Sequence, residues 1–266
     1  MNDIGKGRVL IIAGSDSGGG AGIQGDLKSV TALGGYGATA ITALTAQNTQ
    51  GVQGIFDVPD DFIALQIKSV LDDIGADAIK TGMLHKSSVI DAVARVLASH
   101  ADIPLILDPV MVAKGGAPLL EPAALDALTI KLIPRALVIT PNIPEAELLL
   151  QNKITTLDDM KKAATALLAL GPRAVLLKGG HMEGDTLTDV FIEVGGRAIT
   201  IPSTRIATRH THGTGCALAS AVATGIAQGM ALEDAVMRAH AYVQKAILAA
   251  PGLGQGHGPL GHLAGA

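Results

Sequence analysis

Residues Arg8–Gly20 read RVLIIAGSDSGGG: an apolar run through Ala13, then an abrupt change to glycine, serine and aspartate. The run lacks polar alternation, so it suits a strand buried on both faces, as in parallel sheets covered by helices. The pattern repeats outward along the chain. Further strands are expected at Ala38–Leu44, Ala76–Lys80, Leu105–Leu107, Ala136–Ile139 and Ala174–Leu177. Helical patterns lie between them at Ala21–Leu33, Asp60–Ile74, Ser87–Ser99, Glu121–Lys131, Pro144–Leu150 and Leu157–Ala169. Asp60 and Ser87 stand where N-caps are expected, and Gly34, Gly75 and Gly171 where helices should stop. After Lys178, Leu187–Val194 and Arg197–Thr204 flank Gly195-Gly196 as a β-hairpin. Two more helices follow near Gly215–Gln228 and Leu232–Ala249, then a glycine-rich, weakly specified tail, Gly252–Ala266. No compositional break divides the chain. The expectation is one doubly wound α/β domain over residues 1–266, a mostly parallel sheet flanked by helices with a C-terminal β-hairpin.

Composition narrows the function. The 266 residues are 48% apolar and 17% charged, with 33 glycines, one cysteine and no tryptophan. Such a chain buries a core and is not disordered. A single cysteine excludes a disulfide scaffold or a thiolate zinc cluster. Two Tyr, three Phe and a net charge of −4 offer nucleic acid neither a stacking platform nor a basic field. No apolar stretch nears the ~20 residues of a membrane span. Val9–Ala13 is too short for a signal-peptide core, so a cytoplasmic location is expected.

In open parallel sheets, ligands bind beyond the carboxyl ends of the strands. Those ends turn polar here at once, supplying Gln47, Asp108, Asn142 with Glu145 one turn on, and Lys178. Turns explain Gly and Pro but not this gathering of amide, acid and base, which points to an enzyme cleft. Gly20–Gly25 matches G-x-G-x-x-G, yet six residues separate it from the first strand and the second strand ends in Thr45-Ala46-Gln47 without an acid. A dinucleotide site is therefore rejected. Thr211-His212-Gly213-Thr214-Gly215-Cys216 precedes a small-residue helix, and a glycine turn at a helix N-terminus makes an anion site. Cys216 falls in the first turn, where a thiol pKa tends to drop. An inert buried residue is the commoner fate of a lone cysteine. His210 and His212 lack a third ligand nearby and are not read as a metal site.

Together these segments resemble the ribokinase-like superfamily, in its branch of vitamin-precursor kinases, nearest the hydroxymethylpyrimidine/phosphomethylpyrimidine kinases. They are GSDSGGGAGIQGDLK (Gly14–Lys28), TALTAQNTQGV (Thr42–Val52), KTGML (Lys80–Leu84), LDPVMVA (Leu107–Ala113), TPNIPE (Thr140–Glu145), KGGH (Lys178–His181) and HTHGTGC (His210–Cys216). The resemblance implies ATP-dependent phosphorylation of 4-amino-5-hydroxymethyl-2-methylpyrimidine, then of its monophosphate, in thiamine biosynthesis. It implies that Gly14, Asp26 and Gln47 hold the aminopyrimidine and its hydroxymethyl group, with Met83 and Val110 as an apolar wall. Asn142 and Glu145 would organise Mg²⁺ through water, with Asp108 a second acid near the phosphates. Lys178 and Thr214 would meet ATP, and Gly213, Thr214 and Gly215 would form the anion hole. Cys216 stands where many superfamily members carry an aspartate base. Gly18 and Gly25 replace a common Ser and Ala, which adds backbone freedom. The implied partner is a small molecule, and a homodimer is compatible with the branch. Two alternatives stay open, a pyridoxal/pyridoxine kinase and a non-catalytic pyrimidine-binding sensor.

Overall fold

The computed structural model describes residues 7–112, 119–180 and 184–265. Ala113, His181 and Ala266, each ending a stretch quoted above, lie outside them. The apolar run at Arg8 opens β1 (Arg8–Asp16), and the other strands are β2 (Tyr36–Asn48), β3 (Gly51–Asp57), β4 (Ala78–Thr81) and β5 (Leu105–Leu107). After these come β6 (Val138–Ile139), β7 (Ala174–Leu177), β8 (Thr186–Glu193) and β9 (Ile199–Thr204). All join one sheet in the order β3-β2-β1-β4-β5-β6-β7-β8-β9. The six central strands run parallel, while β3, β8 and β9 pair antiparallel with their neighbours.

Helices cover both faces, which is why the strands carry unbroken apolar runs. Leu10 and Ile12 point to one core, with α2 (Asp60–Leu71), α3 (Ser87–Leu97), α4 (Pro122–Lys131), α5 (Ile143–Leu150) and α6 (Leu157–Leu168). Val9, Ile11 and Ala13 point to the other, beneath α1 (Gly22–Ala32), α7 (Thr214–Ala227) and α8 (Leu232–Leu248). Helix α7 is buried without a break from Ala217 to Gly225. Its small side chains let it lie tightly on the sheet between α1 and α8. Among the described residues, no helix is long and apolar enough to cross a membrane.

Three expectations are corrected. The second strand runs past Leu44 to Asn48 and returns as β3, an element the sequence pattern did not suggest. Residues 53–57 of β3 are all exposed, so no buried face imposed an apolar alternation there. Asp60 and Ser87 are first helical residues rather than caps; Pro59 and Lys86 hold the cap positions, without side-chain bonds. The tail is not loosely specified. Thr49 O accepts from His257 N at 2.8 Å, Gly258 O accepts from His212 N at 3.1 Å, and Ala246 O accepts from Gly261 N at 2.9 Å.

The tail ends on a buried anchor. His262 Nδ1 lies 3.2 Å from Ser29 Oγ and 3.0 Å from Tyr242 OH. Burial, helped by the charge of Lys28, pushes the His262 imidazole down to about 4. An unfolded chain takes up this proton near pH 6.5, whereas the folded chain resists it until about 4. Stability is therefore full above pH 6.5 and falls by about 3 kcal/mol as pH drops through that window. Thermal melts of the unchanged chain and His262→Gln at pH 7.5 and 5 check this: the variant should lose less on acidification. Equal losses would contradict it.

Candidate active site

The carboxyl ends of β1, β2 and β4–β7 and the amino end of α7 enclose a cavity of about 570 Å³. One side is built from β1 and β2. Asp16, the last residue of β1, accepts from the amides of Gly18 (2.8 Å), Gly20 (3.1 Å) and Ala21 (2.9 Å), folding the glycine loop around its carboxylate. His212 Nε2 is 2.8 Å from Asp16 Oδ2 and 3.3 Å from Gln47 Nε2. Burial opposes the charge on Asp16, but His212 and the loop amides win and hold its carboxyl below the usual range. Ordered donors and acceptors at Gln47 can read a ring nitrogen beside an exocyclic amine. Met83, Val110 and Leu119 pack together as an apolar wall. Gly14 leaves room for it, since a Cβ there would stand 3.1 Å from Met83 Sδ.

The other side comes from β5, β6 and β7. Lys178 Nζ donates to Asp108 Oδ1 at 3.0 Å and lies 4.0 Å from Glu145 Oε2. Thr140 Oγ1 donates to the same Asp108 oxygen at 2.9 Å. Burial disfavours the Lys178 charge, yet Asp108 and Glu145 hold its proton more firmly than usual. Burial would raise Asp108, but Lys178 and Lys80 outweigh it and keep this acid ionised. Glu145 goes the other way: burial, reinforced by Asp108, pushes it up to about 7 against the pull of Lys178.

Between the two sides stands the amino end of α7. Its N-cap, Gly213, has φ +85°, and a Cβ there would run into the Gly20 carbonyl. Only glycine lets the two loops touch. At Gly215 a Cβ would meet Lys178 Nζ at 3.1 Å, so the ammonium lies directly against the first turn. Amides of that turn have no carbonyl four residues back to pair with. The Thr214 amide is drawn to Thr211 O at 3.4 Å, but the helix dipole, the following amides and the ammonium converge on one spot, an arrangement suited to phosphate.

The cavity gathers Gly14, Gln47, Met83, Val110, Asp108, Asn142, Glu145, Lys178, Gly213, Thr214, Gly215 and Cys216. It does not include Asp26. That carboxylate is fully buried on the inner side of α1, accepting from Lys80 Nζ at 2.8 Å and Ser220 Oγ at 2.7 Å. Lys80, not Asp26, reaches the cavity floor. Burial opposes both charges, but the pairing keeps Lys80 protonated beyond its ordinary value. The thiol expectation also reverses. Burial pushes Cys216 up to about 12, with Asp26 and Asp108 adding to the rise and Lys80 resisting it.

Asn142 and Glu145 have a structural duty that their N-x-x-E spacing explains. Asn142 Oδ1 accepts from Glu145 N at 2.9 Å and Glu145 Oε2 from Asn142 N at 2.7 Å, a capping box that starts α5. Sequence reasoning missed Lys80, Asp16, His212 and His257, all of which line the cavity. A lysine inside an apolar strand was a usable signal for the first. His212 reads from the sequence only as a metal-ligand candidate, which hides its place beside Asp16 and Gln47, and no sequence pattern singles out His257.

Residues 16–261 match the phosphomethylpyrimidine kinase family. The chain is 47% identical over 254 residues to the hydroxymethylpyrimidine/phosphomethylpyrimidine kinase of Streptomyces coelicolor, covering 96% of this chain and 93% of that one. It is 49% identical over 258 residues to the thiamine biosynthesis bifunctional protein ThiED of Geobacter sulfurreducens; 97% of this chain is covered, but only 52% of that protein. Among solved structures, the ADP complex of Bacillus subtilis pyridoxal kinase superposes with a TM-score of 0.90 at 37% identity, over 97% of this chain and 98% of that one.

Proposed function

The chain belongs to the phosphomethylpyrimidine kinase family, and from that membership we propose its reaction. The γ-phosphoryl group of ATP passes to the hydroxyl of hydroxymethylpyrimidine and, in a second turnover, to the phosphate of the monophosphate. In each turnover an acceptor oxygen bonds to the γ-phosphorus as the bond to ADP oxygen breaks. One juxtaposition carries this reading: the Lys178 ammonium against Gly215 at the amino end of α7. Phosphoryl transfer proceeds mainly by placement and charge stabilisation. Lys178 and the amides of Gly213–Cys216 meet the moving charge, and Asp16, Gln47 and His212 orient the pyrimidine. In the first turnover the thiolate form of Cys216, a minor form that Lys80 favours, takes up the hydroxyl proton late in the step; in the second the acceptor oxygen is already ionised and brings no proton. A module that only bound the pyrimidine would not need the cation and the amide cradle together.

Mg²⁺ is the expected companion of ATP. Among the described residues, no three side chains of His, Cys, Asp or Glu converge as a metal cage. Asp108 and Glu145 form the sparse acidic set that suits an ion held chiefly by phosphates and its own waters. When bound, it would neutralise phosphate charge. A lone reduced cysteine inside the site fits a cytoplasmic location.

The fold similarity to a pyridoxal kinase keeps one second reading, pyridoxal as acceptor. Parallel assays of ADP release with each acceptor decide between them. A kcat/KM about tenfold or more higher on hydroxymethylpyrimidine is expected. Higher values on pyridoxal would reassign the substrate, and no ADP with either would leave only binding.

We also propose a homodimer through β3. This edge strand, GVQGIFD, has neither Pro nor Lys to guard it and exposes Ile55 and Phe56, whereas the opposite edge, β9, carries Pro202. Exposed Phe62 on α2 and Leu44 on β2 extend the apolar surface. Antiparallel pairing of β3 with its copy would satisfy the edge symmetrically. Sedimentation should find a dimer that Phe56→Asp converts to monomer. A monomeric unchanged chain would contradict this.

A further inference from the structure

The glycines of the C-terminal segment are packed, not loose. A Cβ at Gly256 would strike Thr49 O, and one at Gly258 would strike His210 Nδ1 and approach Leu253 O at 2.6 Å. The segment bridges the turn after β2, the strand that carries Gln47, and the loop that carries His212; both side chains line the cavity. On one side Gly256 N donates to Thr49 Oγ1 at 3.1 Å and His257 N to Thr49 O at 2.8 Å, at the turn between β2 and β3. On the other, Gly258 O accepts from His212 N at 3.1 Å, and Pro259 pairs with His212 as an isolated β-bridge. His257 Nδ1 lies 3.1 Å from Arg209 O, and its ring joins the cavity lining. The buried His262 anchor fixes the far end against α1 and α8.

We propose that residues 252–262 are a positioning element for the acceptor side of the cavity, holding the His212 backbone so that its ring meets Asp16 and Gln47. His257 is the side chain the segment itself adds to the wall. The proposal rests on the functional reading above and refines it. Among the described residues, no hydrogen bond joins the segment to Lys178, Asp108 or Glu145, so its influence should fall on the acceptor and spare the nucleotide. A mere surface cover would change stability without that selectivity.

Gly258→Ala tests it, because the added Cβ would strike His210 Nδ1 and Leu253 O and push aside the Gly258 backbone, whose carbonyl holds His212. The acceptor KM should rise about tenfold or more while the ATP KM stays within about twofold. His257→Ala should raise the acceptor KM severalfold with little change in melting temperature. If Gly258→Ala does not fold, Thr49→Val removes the Gly256 contact instead and should shift the acceptor KM in the same direction. A folded variant with both KM values unchanged, or with both raised together, overturns the proposal. If the unchanged chain phosphorylates neither hydroxymethylpyrimidine nor pyridoxal, it is the functional reading that fails. The segment is then judged by the His212 ring resonance, which Gly258→Ala (or Thr49→Val in its place) must shift while ADP affinity holds. An unmoved resonance would overturn it.

Discussion

Lys178→Met should lower kcat about a thousandfold and leave the acceptor KM within about threefold of its original value. Methionine keeps the length of the side chain and removes the charge that meets the phosphoryl group at the amino end of α7. The ammonium lies against Gly215, 3.0 Å from Asp108 and within 4.0 Å of Glu145. Acceptor groups on β1 and β2 are untouched, so binding of the pyrimidine should persist. Without the cation, the buried Asp108 carboxylate loses its ion-pair partner and Glu145 is driven further towards its protonated form. The melting temperature should therefore fall as well, and kcat must be measured where the variant is folded. A folded variant that keeps a tenth or more of its turnover would remove Lys178 from the mechanism.

The second large effect is expected at Cys216. Burial drives its thiol up to about 12, so the resting group is protonated at neutral pH. Lys80 beneath the floor pulls the other way, and transfer through a loose transition state needs little base strength. If the thiolate takes the acceptor's proton, turnover of the unchanged chain climbs from pH 7 to 9 without levelling. Cys216→Ala should lose about a hundredfold in kcat and that climb with it, while pyrimidine affinity stays nearly constant. Near-normal turnover by the variant would end the assignment of Cys216 as base.

Much of the fold was readable because the central strands are buried on both faces. Continuous apolar runs such as Val9–Ala13 and Ala174–Leu177 leave little choice of structure. β3 escaped because it is an exposed edge, where no core writes a pattern into the sequence. The site was legible as a set of strand ends, since chemistry-bearing residues follow each apolar run directly. What the pattern could not convey was depth. The resemblance puts Asp26 on the pyrimidine, but α1 turns it inward to Lys80, away from the cavity. Cys216 looks activated by its place in a first helical turn, and only its burial among Asp26, Asp108 and Lys80 reverses that. The tail misled for a related reason: glycine read as freedom, whereas Gly256 and Gly258 are required by close contact with Thr49 and His210.

The central claim is sequential phosphorylation of one pyrimidine in one cavity. Phosphorus NMR of the unchanged chain with ATP, Mg²⁺ and hydroxymethylpyrimidine tests it most directly. The expected course is a monophosphate ester signal that rises first and then gives way to a diphosphate, with ADP released at each step. ADP without any phosphorylated pyrimidine, or no change in the ATP signals at all, would contradict the account.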